Sequence, residues 1–107
     1  MMNVWKNIPF KDTHMGNRKV ADEPFLQIMQ IALKPGQAVP EHKANSNVHL
    51  LILKGQITLQ LEQDKKMLSE GDLLPVAFRT LMNIKNSGEE DATFLVLKAP
   101  HPSEMTA

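Results

Sequence analysis

A chain of 107 residues with 42% apolar content is sized for one folded domain with one core, and its pattern fits neither disorder nor a repeat array. Twelve basic residues balance twelve acidic ones, so the formal net charge is zero, and no basic stripe of the kind that tracks a phosphate backbone is present. The absence of cysteine excludes a disulfide framework, a thiolate metal site and a cysteine nucleophile.

Residues 1–24, opening "MMNVWKNIPFKD", read as an irregular lead-in with an edge strand, and they lack the basic and apolar regions of a secretory leader. The longest apolar run, Leu50 to Leu53, is far too short to span a bilayer. A cytoplasmic protein with no membrane and no nucleic-acid partner is therefore expected. "PFLQIMQIALKPG" predicts a long strand closed by a Pro-Gly turn, and "VHLLILKG" is apolar enough for a strand covered on both faces. After the Gly55 break, "QITLQLE" alternates cleanly, with Ile57, Leu59 and Leu61 on one face and Gln56, Thr58 and Gln60 on the other. Residues 63–66 read as a polar hairpin turn, "EGDLLPV" as a short strand after the Gly71 turn, and "ATFLVLKAP" as the last strand after a turn at 86–91.

Antiparallel strands at this spacing predict an all-β fold, a jelly-roll barrel over residues 25–100 with a tail at 101–107. Its interior is just wide enough to be filled by side chains or to hold one small ligand. Seven methionines and few aromatics make that interior aliphatic and adaptable.

From about Phe25 to Pro100 the chain resembles a small single-domain cupin. Gly36 is followed by five residues and His42, and Gly55 stands where the family's first motif closes. Gly71-Asp72 opens the second motif, and Asn86 to Gly88 supplies its Asn-x-Gly turn. The resemblance implies the cupin barrel, inside which the family usually holds one divalent metal on three histidines and a glutamate. His42 matches the first histidine. Ala44 stands at the second, Val48 at the glutamate and Met82 at the third histidine, while Ala77 and Arg79 stand where the family often has proline and glycine. Alanine and valine offer no donor and a thioether is a soft one, so the usual metal site is not expected here.

His42, just past a turn at the expected rim, is the first candidate: a ligand contact, a general base or a donor to a bound anion. Arg79 could fork a ligand carboxylate beside it. Val48, Leu50, Ile52, Met82 and Ile84 would line a dry aliphatic interior. His49 directly follows Val48 on a strand and should face away from it. An alternative site for a divalent transition metal, built from His42, Asn47 and His49, needs a bulge to reverse that facing. His14 and His101 fall in the chain's ends and read as exposed polar surface. No Ser-His-Asp order, phosphate loop or HExxH motif is present.

The expected function is thus a small-molecule-binding cupin without the usual metal, and without a cofactor. The alternatives are a cupin enzyme, either metal-dependent with the rearranged site or a metal-free isomerase using His42, and a purely structural filled barrel. A homodimer is expected, because zero net charge does not oppose pairing, the Gln56, Thr58 and Gln60 face is uncharged, and the first 22 residues could cover a neighbour's edge.

Overall fold

Alternation of buried and exposed side chains runs through most of the chain, and it resolves into nine strands. In the computed structural model, which describes residues 1–105, these are β1 (Gly16–Glu23), β2 (Leu26–Leu33), β3 (Ala38–Lys43), β4 (Val48–Lys54), β5 (Gln56–Leu61), β6 (Asp64–Ser69), β7 (Leu73–Val76), β8 (Leu81–Lys85) and β9 (Ala92–Lys98). A 3-10 turn, Pro102–Glu104, follows. Residues 106–107 of the expected tail lie outside the described residues.

All pairings are antiparallel and form two sheets, one in the order β1-β2-β9-β4-β7 and one in the order β3-β8-β5-β6. Each sheet turns one face inward, and between them lies a core centred on Phe94, Leu33, Leu50, Ile52, Ile57 and Leu59, all fully buried. The alternation read from "QITLQLE" holds, with Ile57 and Leu59 buried and Gln56 exposed. Among the described residues no helix is long and apolar enough to cross a membrane.

Two expectations need correction. The turn placed at residues 63–66 is tighter: only Glu62 and Gln63 connect β5 to β6, with Glu62 at φ 46°, and Asp64, Lys65 and Lys66 already pair with Leu61, Gln60 and Leu59. Polar residues on the edge strand β6 have turn-like composition, which masked the strand. The edge strand expected in the lead-in is β1, so the large sheet begins at Gly16 rather than near residue 25.

Residues before β1 fold back on their own sheet. Gln30, fully buried, donates from Nε2 to Val4 O at 2.9 Å and to Thr93 Oγ1 at 3.0 Å, and its Oε1 accepts from Arg18 Nε at 2.9 Å. Arg18 in turn donates to Asn7 O at 2.8 Å. A buried amide left without these partners would be costly, so the arm's seat is specific. The arm therefore covers this chain's own sheet.

Candidate functional site

The two sheets do not close completely. A cavity of about 420 Å³ opens between them, inside the range typical of small-molecule sites. Its buried lining comes from inward positions of four strands and the loop after β3: Ile31, Leu50, Phe94 and Ile84 with Ala44, Val48 and Met82. Toward the opening the lining turns polar, with Asn17, His42 and Asn45 exposed and Lys98 half-buried. The expected apolar positions Val48, Leu50, Met82 and Ile84 thus meet in one place, while Ile52 is core beside it.

His42 reaches this cavity through an irregularity in β3. Val39 pairs with Ile84 and His42 with Met82, and the register shifts between them. Val39 and His42, three residues apart, would face opposite ways on a regular strand, yet both line the cavity. The extra residue re-aims the imidazole inward. Glu41 stays outside the lining and accepts from Asn83 Nδ2. His42 Nδ1 lies 2.9 Å from Pro40 O. A carbonyl can only accept, so Nδ1 carries the hydrogen and Nε2 is left for a ligand.

The other candidates are placed elsewhere. Asn47 accepts at Oδ1 from Phe78 N at 3.2 Å and at its carbonyl from Ala99 N at 3.2 Å, tying neighbouring loops together. His49 pairs with Pro75 and Leu97 and is exposed between buried Val48 and Leu50, so this end of β4 keeps its alternation and sends the ring to the outer face, the register shift of β4 falling later, between Ile52 and Lys54. The bulge that would bring His42, Asn47 and His49 together does not occur in β4. Arg79 is not among the residues lining the cavity; its guanidinium lies 4.9 Å from the Phe78 ring centroid and its backbone N–H donates to Ala44 O at 2.8 Å. Its φ of 73° is the left-handed conformation that favours glycine, the residue the family resemblance suggests there. His101 is not simply exposed surface: Nδ1 accepts from Ser103 N, leaving Nε2–H to donate to Asp22 Oδ1 at 2.7 Å. His14, as expected, is exposed.

No protein-family model matches the chain. An uncharacterized protein of Methanocaldococcus jannaschii is 40% identical over 90 residues, covering 83% of this chain and 78% of that protein. The crystal structure of an RmlC-like cupin family protein with a double-stranded β-helix fold from the same organism superposes with a TM-score of 0.84, at 34% identity over 95% of this chain and 91% of that one. The chain belongs to the RmlC-like cupin family. The fold is also shared with a putative mannose-6-phosphate isomerase of Ralstonia eutropha, at TM-score 0.80, 18% identity and coverage of 94% and 98%.

In this cupin the cavity lining holds one imidazole, His42, and no carboxylate. Among the described residues no three His, Cys, Asp or Glu side chains gather where an ion could be held. Among the residues that strand reasoning missed is Lys98. It continues the inward phase of β9 after Phe94 and Val96, so the alternation in "TFLVLK", carried to its end, would have found it. Burial alone pushes its ammonium pKa below the ordinary lysine value.

Proposed function

We propose that this cupin is a small-molecule-binding protein whose cavity operates without a resident metal ion. The observation that carries the reading is the lining itself: an aliphatic interior large enough for a ligand, with polar groups only at the mouth. One imidazole with the three soft thioethers of Met15, Met29 and Met82 and no carboxylate does not fit a hard or borderline divalent ion. Protein purified without an affinity tag should contain far less than one equivalent of iron, nickel, manganese or zinc, and chelator should leave its melting temperature unchanged. One equivalent of any of these would overturn the proposal.

A second reading, a metal-free isomerase with His42 as base, has in its favour the Nδ1 anchor on Pro40 O that leaves Nε2 toward a substrate. No carboxylate orients the ring, however, and binding is the reading the lining supports better.

A homodimer belongs to the same proposal. The outer face of the large sheet carries neighbouring Leu51 and Leu95, half-buried, beside Leu73, which is 59% exposed. Such a face is suited to an isologous contact, and the zero net charge does not oppose one. Light scattering at micromolar concentration should give a dimer, and Leu73→Lys should shift it toward monomer. A 12.0 kDa particle throughout that range would contradict the idea.

A further inference from the structure

Among the described residues, the mouth of the cavity presents one ammonium and no acidic side chain to neutralise it. Lys98 lines the cavity, and among the described residues it makes no ion pair and no side-chain hydrogen bond. No aspartate or glutamate lines the cavity. The other half-buried lysines, Lys34 and Lys66, sit against Asp12 and Asp64 at 2.7 and 3.2 Å, whereas the other lysines without an ion pair, Lys6, Lys11, Lys43, Lys54, Lys65 and Lys85, are exposed. An unpaired, half-buried ammonium is a cost to the fold unless something else meets it.

We infer that the ligand is an amphipathic monocarboxylate, its head on Lys98 Nζ and its aliphatic tail among Ile31, Leu50, Ile84 and Phe94. Lys98 desolvation supports this, because an anion beside the ammonium restores the stabilisation that burial removed. A single cation matches a single negative charge, and a doubly charged phosphate head would be left half neutralised. Asn17 and Asn45 complete the mouth as amide donors for the second oxygen, and His42 Nε2, the accepting nitrogen of the ring, can take a hydrogen bond from a bridging water. The apolar lining dictates the other half of the ligand: it rewards methylene groups and offers a polar tail no partner.

This inference rests on the small-molecule reading above, and the test separates the two. Binding of butanoate, hexanoate and octanoate, and of octan-1-ol as the uncharged counterpart, is measured by calorimetry on the native protein, Lys98→Met and Lys98→Arg. Affinity for the carboxylates should tighten about fourfold per methylene until the cavity fills. Lys98→Met, which keeps the apolar stem, should weaken octanoate roughly tenfold or more and leave octan-1-ol unchanged, while Lys98→Arg retains binding. Equal octanoate affinity in the native protein and Lys98→Met would overturn the carboxylate inference. Binding of octan-1-ol without octanoate would overturn it as well, and in either case the cavity remains a small-molecule site. Binding of neither compound by the native, folded protein would overturn both.

Discussion

Replacing Asn86 with alanine is expected to cost about 3 kcal/mol of stability, a drop of roughly 15 °C in melting temperature for a domain this small. The side chain is fully buried and all of its polar atoms are used. Nδ2 donates to Leu33 O at 2.9 Å and to Glu90 O at 2.8 Å, and Oδ1 accepts from Gly88 N at 3.0 Å. The backbone of the same residue bonds Gly36 and Gln37, so one asparagine joins the end of β2, the β2–β3 turn and the β8–β9 turn. Alanine would leave the Leu33 and Glu90 carbonyls and the Gly88 N–H without this partner, and an unpaired buried group costs more than a solvated one gains. Asn86→Asp should be about as damaging at neutral pH, because a carboxylate would face two carbonyl oxygens it cannot donate to. Urea unfolding of both variants checks this. A loss below about 0.5 kcal/mol for Asn86→Ala would show that the turns hold without the amide.

Gly55→Ala is expected to be as severe for a different reason. Gly55 has φ +79°, and a Cβ there would lie 2.5 Å from Asp91 O and 2.9 Å from Ala92 Cα. Those are backbone atoms at the start of β9, which cannot move without disturbing the pairing of β9 with β4 and β2. The left-handed conformation costs about 1–2 kcal/mol for alanine, and the collision adds to it, so a loss of about 3 kcal/mol is expected. Gly71 separates the two effects: its φ is +89° but nothing lies within 4 Å of its would-be Cβ. Gly71→Ala should therefore lose only the conformational part. Equal losses at the two positions, measured by thermal unfolding, would mean that the approach of β9 to Gly55 is not a constraint.

These two positions also show how far the sequence reaches. Gly36, Gly55, Gly71 and the Asn86 turn were legible because each marks a backbone need that few residues meet, and with the apolar run of β4 and the alternation of β5 they pointed to the barrel. The site was legible only in part. Val48, Leu50 and Met82 were placed inside by the cupin register, and all three line the cavity. His42 owes its inward aim to a β3 irregularity defined by pairing with β8, a partner some forty residues away in sequence, which local periodicity does not encode. Arg79 was singled out for its charge, yet its loop conformation places it against Phe78 and outside the cavity lining. Lys98 was overlooked because a lysine at a strand's end reads as a solvated terminus until its phase is followed from Phe94.

The central claim is that the cavity between the sheets holds the ligand, with its charged end at Lys98 and its tail inward. Intermolecular NMR contacts between octanoate and the methyl and ring protons of the isotope-labelled protein test it most directly. The terminal methyl of octanoate should show contacts to Ile31, Leu50 and Phe94 while its carboxyl-end methylene lies near Lys98. Contacts confined to Leu51, Leu73 and Leu95 on the outer face of the large sheet, with none inside, would contradict it.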